Sequence, residues 1–270
     1  MELTVATNWD KELIPKLAEL NVNTLFGVMD KTPVGGGRPS LLLAKVDKDY
    51  VKEYINAVHS AGMKFNYLLN APCMNNMEYD KATHTELIEY MDWLNKMEVD
   101  SVTVTNPYLM EIILEQFPGL GVSVSVITHV NSVHRARLFE ELGVQSIALD
   151  FNINREFKLI KKIREAVKCK LTVLANDGCL YQCPFRGYHY NIIGHASQTI
   201  NPLKGFYFDY CIIRCTMKRF TNPVELIRGR WIRPEDVHLY EEMGIDNLKL
   251  SGRRMSTKWL LNTAGAYSAR

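Results

Sequence analysis

A single (β/α)8 barrel, of the TIM type, is the fold class this sequence predicts, on three observations. Short β-rich runs alternate eight times with longer amphipathic stretches from one end of the chain to the other. Most of the runs are continuous apolar or β-branched segments, as strands covered on both faces are. No shift in composition marks a linker, so one domain is expected over residues 1–270. An open doubly wound sheet is the runner-up, because a strand count from sequence can be off by about one or two elements.

The elements follow in order. A strand at Leu3–Thr7 leads into a helix at Asp10–Leu20, and a second strand, Thr24–Val28, precedes a long loop and a helix at Asp49–Ala61. Lys64–Leu69, Ser101–Thr105 and Val122–Ile127 read as strands three to five, with helices at Thr85–Met97, Tyr108–Phe117 and Ser132–Leu142 after them. Ser146–Asp150 and Leu171–Ala175 are the sixth and seventh strands, separated by a helix at Arg155–Val167. A helix at Glu235–Met243, the eighth strand at Asn247–Leu250 and a helix from Thr257 onward close the chain. Ser60-Ala61-Gly62 and Glu141-Leu142-Gly143 are helix stops, with glycine free to take the left-handed cap.

Composition sets outer bounds. A share of 47% hydrophobic and 23% charged residues is an ordinary globular balance. A net charge of +2, from 32 basic and 30 acidic residues, gives no long-range field from which nucleic-acid or membrane binding can be inferred. The start, Met1-Glu2-Leu3-Thr4-Val5, lacks a secretory pattern and no run reaches the length of a membrane span, so a cytoplasmic protein without membrane insertion is expected. In that reducing compartment the six cysteines read as metal ligands, catalytic groups or core residues rather than disulfides.

In a barrel the site lies where strands end and the following loops begin. The residues there are polar at nearly every position: Thr7 and Asn8, Asn70, Thr105 and Asn106, Thr128 and His129, Asp150 and Asn152, Asn176 and Asp177, Ser251 and Arg253. Taken singly each is a turn former or helix cap. Their recurrence rings one mouth with hydrogen-bonding groups, which suits a polar small-molecule or chain-like substrate. Two loops exceed what a barrel needs. Asp30–Ser40, with Gly35-Gly36-Gly37-Arg38, has no P-loop lysine and no dinucleotide fingerprint; it reads as a flexible loop over the mouth, with Arg38 either solvated or meeting an anion. The other, residues 176–233, is an insertion between strands seven and eight, far longer than the usual βα loop of about 2–6 residues.

That insertion carries two Cys-x-x-x-Cys pairs, Cys179/Cys183 and Cys211/Cys215, which can converge four thiolates on one point. Four thiolates suit zinc or an iron–sulfur cluster, and the spacing fits the knuckles of zinc sites, so zinc stays open. Core thiols are the plain alternative. Cys169 ends a helix and reads as structural; Cys73, at the end of strand three, reads as a packed thiol, with a ligand or redox role the sharper alternative. His189 and His195, six apart, do not share a helical face, so each is an acid or base on its own or a hydrogen-bonded interior histidine.

The run Gly178-Cys179-x-x-x-Cys183-Pro184-Phe185-Arg186-x-Tyr188-His189, the later Cys211-x-x-x-Cys215 and the closing Gly244-Ile245-Asp246-Asn247-Leu248-Lys249-Leu250-Ser251-Gly252-Arg253 resemble the collagenase-like peptidases of unassigned catalytic type, the U-thirty-two peptidases. The resemblance spans nearly the whole chain and implies the barrel fold. Although the family is named for proteolysis, several members are oxygen-independent hydroxylation proteins of ubiquinone biosynthesis or RNA modification, linked to a four-cysteine [4Fe-4S] cluster, with prephenate as oxygen source in some. By analogy Cys179, Cys183, Cys211 and Cys215 are the cluster ligands here. The family signature has a glutamate and an aromatic before the first cysteine, whereas Leu174-Ala175-Asn176-Asp177 stands here, and the paired spacing is more regular; a divergent branch is expected.

The function these readings favour is a cluster-dependent modification at the barrel mouth, including hydroxylation of a biosynthetic intermediate, RNA or peptide, with a protein partner compatible. Asp150, Asp177, His189 and Arg253 are the candidates for positioning or proton transfer. A peptidase is the alternative, although no HExxH or Gly-x-Ser-x-Gly motif is present. A zinc-stabilised binding protein is the non-enzymatic one.

Overall fold

In the computed structural model, which describes residues 1–201 and 206–269, eight parallel strands close into one barrel in the order β1 to β8. In chain order the elements are β1 (Glu2–Ala6), α1 (Leu13–Glu19), β2 (Thr24–Gly27), α2 (Lys48–Ser60), β3 (Lys64–Leu69), α3 (Lys81–Lys96), β4 (Ser101–Val104) and α4 (Pro107–Gln116). They continue with β5 (Gly121–Val124), α5 (Val133–Glu141), β6 (Ser146–Ala148), α6 (Phe157–Ala166), β7 (Lys170–Leu174), α7 (Arg186–His195), α8 (Tyr210–Thr221), α9 (Val224–Arg228), α10 (Val237–Glu242), β8 (Asn247–Leu250) and α11 (Thr257–Ser268). The register closes the ring, with Thr4 opposite both Thr24 on β2 and Lys249 on β8.

The barrel's main core lies between strands and outer helices. Leu3 and Val5 on β1, Phe65 and Tyr67 on β3, and Leu248 and Leu250 on β8 point outward and are buried. The helices meet them with stripes of helical period: Val51, Tyr54, Ile55 and Val58 on α2, and Leu87, Tyr90, Met91 and Leu94 on α3. Asp47 and Asp80 cap these two helices through their side chains, and the Asp80 cap starts α3 four residues before the expected Thr85. The expected fifth strand ends early, because the Ser125 hydroxyl caps a turn at Val126–Thr128.

The inner faces are unlike those of most such barrels, whose interiors are filled by branched apolar side chains. Here Thr4, Asn66, Thr103, Ser123, Thr172 and Asn247 form a polar belt. Thr103 donates to Asn66 at 2.6 Å, Ser146 to Ser123 at 2.7 Å and Thr4 to Asn247 at 2.9 Å, so much of the belt's hydrogen-bonding capacity is met internally. The lumen is left as a cavity of about 590 Å³ that reaches the mouth.

The insertion at 176–233 carries three helices of its own, α7 to α9; its residues 202–205 lie outside the described residues. The loop at 30–40, expected to be flexible over the mouth, is instead packed: Val34 is fully buried, and Gly36 N donates to the Ser197 hydroxyl at 3.0 Å. Thr32 bridges to Gln198, whose side chain donates to the carbonyls of Val34 and Cys73 at 3.0 and 2.7 Å. Loop and insertion together roof the barrel.

Candidate active site at the barrel mouth

Each strand end delivers its polar residue in a loop that the backbone fixes. Asn176, just past β7, donates to the Ser251 carbonyl at 2.8 Å and accepts from Ser251 N at 2.7 Å, so this pair zips β7 to β8 as a structural tie. Asp177 follows, its Oδ1 accepting from Cys179 N at 2.7 Å. This turns the chain into the first cysteine pair.

All four paired cysteines line one cavity of about 460 Å³ beneath the insertion. Cys179 and Cys183 come from the loop before α7, and Cys211 and Cys215 lie on α8 at the four-residue spacing that puts both on one helix face. Burial, reinforced by Asp177, pushes the Cys179 thiol well up, and burial with Asp209 raises Cys211. A metal that took these sulfurs would displace their protons. Among the described residues no three His, Cys, Asp or Glu side chains stand close enough to hold one ion. A tetrahedral zinc at about 2.3 Å from each sulfur needs them about 4 Å apart. The four sulfurs line one shared space and, as placed, do not gather on a single ion.

The lumen and the cysteine cavity share Arg38, Asp177, Tyr190, Ser251, Gly252 and Arg253. Asp177 and Arg253, named from the sequence as strand-end candidates, lie at this junction, as does Arg38, read there as either solvated or meeting an anion. Arg253 Nη2 donates to the Gly36 carbonyl at 2.6 Å, while buried Nη1 has no partner among the described residues. Burial and the neighbouring Arg38 pull its pKa down, which marks a site short of negative charge.

The remaining candidates sit elsewhere. Asp150 is fully engaged: Arg186 on α7 forks onto it at 2.7 and 2.6 Å, its Oδ1 also accepts from Asn152 N at 2.9 Å, and His129 approaches to 3.6 Å. Burial lifts this carboxyl to about 6, opposed by the Asn152 backbone N–H and the charge of Arg135, so it is mostly ionised at neutral pH. It bolts the insertion to the loop after β6 and does not line the lumen. His189 pairs with Asp209 at 3.1 Å, the same carboxylate that takes the Tyr207 hydroxyl, on the wall of the cysteine cavity. His195 lies with its Nε2 buried and unpartnered among the described residues. Neither Cys73 nor Cys169 lines the four-cysteine cavity.

Two residues escaped sequence reasoning: Arg186, whose partner is 36 positions away, and Lys249. Lys249 sits inside the barrel on β8 with its ammonium 4.1 Å from the Phe26 ring centroid. The signal for it was present, since Asn247-Leu248-Lys249-Leu250 alternates polar and apolar, placing both polar residues on the inner face.

A protein from Methanocaldococcus jannaschii described as an uncharacterized protease, MJ1657, is 35% identical over 240 residues, spanning 87% of this chain and 68% of that protein. The solved structure of the U32 peptidase Mk0906 superposes with a TM-score of 0.68 at 22% identity, covering 93% of this chain and 94% of the other. Phosphoribosyl anthranilate isomerase from Thermus thermophilus matches the fold alone, with a TM-score of 0.53, 10% identity, and coverage of 100% and 97%. The profile described as Peptidase family U32 matches residues 41–182, more than half of the sequence, and the chain belongs to that family.

Proposed function

We propose that the chain is a peptidase that cleaves a peptide-like chain at the barrel mouth. Membership of a peptidase family and the description of the archaeal relative as a protease support this reading over the modifying enzyme expected from the cysteines. One geometric observation carries it: a carboxylate, Asp177, and an arginine with an uncommitted buried Nη1, Arg253, both line the junction of lumen and cysteine cavity. Amide hydrolysis needs a base to draw the proton from water and a cation to meet the negative charge that grows on the carbonyl oxygen. In this reading Asp177 is that base and Arg253, with Arg38, that cation. The polar belt below supplies hydrogen-bond partners for a peptide backbone.

The test is cleavage of a defined peptide library, read as new amino termini by mass spectrometry. Asp177→Asn is expected to lose about a hundredfold or more, the usual contribution of a positioned base. Absence of cleavage by the wild-type chain, prepared both aerobically and anaerobically, would overturn the reading.

A second reading rests on the four cysteines around one cavity. It is cluster-dependent modification, including oxygen-independent hydroxylation of a biosynthetic intermediate, RNA or peptide. Cys179, Cys183, Cys211 and Cys215 would hold a [4Fe-4S] group, which supplies redox or Lewis-acid chemistry when bound. Asp177 and Arg253 then orient the substrate. Anaerobic reconstitution should give a brown protein with absorbance near about 400 nm and matching iron and sulfide. A colourless product holding one zinc per chain would sink this reading.

A further inference from the structure

Neither reading uses Lys249. Its side chain faces the lumen from β8, register partner to Thr4 on one side and to Leu174 on the other, and it makes no hydrogen bond or ion pair with the described residues. Its contacts are the face of Phe26 and, towards the mouth, the positive field of Arg253. No carboxylate is among the groups that act on it. The carboxylates lining the lumen are Glu2, Glu98 and Asp100 at the end where the strands begin and Asp177 at the mouth. A half-buried lysine that lines an interior cavity, set against an aromatic face and crowded by another cation, is disfavoured as an ammonium, and the free amine is the form that attacks carbonyl carbon.

We propose that Lys249 is a nucleophilic amine that forms a Schiff base with a small aldehyde or ketone carrying a carboxylate, which Arg253 and Arg38 draw into the lumen. The nitrogen lone pair forms a bond to the carbonyl carbon while the carbonyl oxygen takes up a proton, giving a carbinolamine. Loss of that oxygen as water leaves a protonated imine, so the step consumes no oxidant or reductant. Thr4, the register partner of Lys249, and Asn247 and Thr172, two residues nearer the strand starts, line the same cavity and are hydrogen-bonding groups for the departing water. The cavity of about 590 Å³ accommodates a compound of several carbons. Lys249 has its pKa lowered to about 7 by burial and by Arg253, so roughly half of it is neutral at pH 7, against about one part in three thousand for an ordinary lysine.

The experiment uses the full chain, glyoxylate as the probe and cyanoborohydride to reduce any imine to a stable secondary amine, followed by intact mass and peptide mapping. The expected result is one adduct per chain at Lys249, well above that on exposed lysines such as Lys96. Lys249→Arg, which stays cationic and cannot form the imine, should lose that adduct while keeping the circular dichroism spectrum of the folded chain. Arg253→Gln should abolish the preference for glyoxylate over acetaldehyde. Labelling of Lys249 at or below the level of Lys96 in the wild-type chain, a result that needs no variant to fold, would overturn the proposal, as would equal trapping by Lys249→Arg.

Discussion

Asp150 and Lys249 show how burial decides what a charged residue does. Asp150 is 1% exposed and its charge is answered by a two-pronged guanidinium, itself stacked 4.6 Å from the Phe151 ring centroid. Asp150→Asn leaves Arg186 buried without its counter-charge, so a loss of about 3–5 kcal/mol is expected in chemical denaturation. A loss under about 1 kcal/mol would show the pair is not a bolt. Lys249 has no such answer. Its folded pKa, about 7, lies below the ordinary 10.5, so between these values the unfolded chain holds the extra proton and stability rises with pH. The penalty is complete below pH 7 and gone above about pH 10.5. Lys249→Met should therefore flatten the stability difference between pH 7 and pH 10 relative to the wild-type chain, measured by urea titration. Cys179 to Cys215 were legible because cysteine spacing is a local property. Arg186, Arg38 and Lys249 were not, because their meaning lies in partners brought together by closure of the barrel.

At the scale of elements, the insertion is held by backbone as much as by side chains. Gly35 has φ of +88°, and a Cβ there would stand 2.8 Å from the Gly194 carbonyl oxygen on α7. Gly35→Ala should cost about 1–3 kcal/mol and speed hydrogen exchange along α7, since both the left-handed conformation and the close approach are lost. Exchange along α7 unchanged from wild type would contradict the clamp. The sequence reading placed all eight strands, because each is a short run rich in apolar and β-branched residues that alternates with helical patterns, although the expected cover on both faces gave way to polar inner faces around a lumen. It misjudged the loop at 30–40 as flexible, since its anchors, Ser197 and Gln198, are over 150 positions away. It also gave no internal structure to the insertion, where α8 exposes Ile213, Met217 and Phe220 and so lacks the buried stripe that marks a helix elsewhere in this chain.

For the whole molecule, closure of a sheet whose inner faces alternate polar with apolar residues makes an open lumen where comparable barrels have a packed interior. The insertion after β7 brings four cysteines to its rim. Among the described residues no helix is long and apolar enough to cross a membrane. Family membership, the shared junction of the two cavities and the uncommitted Arg253 are the grounds on which we propose the mouth as the place of reaction. The most direct test is the peptide-library cleavage assay on wild type and Asp177→Asn, run on the same preparations whose iron and sulfide are measured. The account predicts new peptide amino termini from the wild-type chain and about a hundredfold fewer from the variant at equal metal content. Equal cleavage by both, or none by the wild type in any metal state, would contradict it.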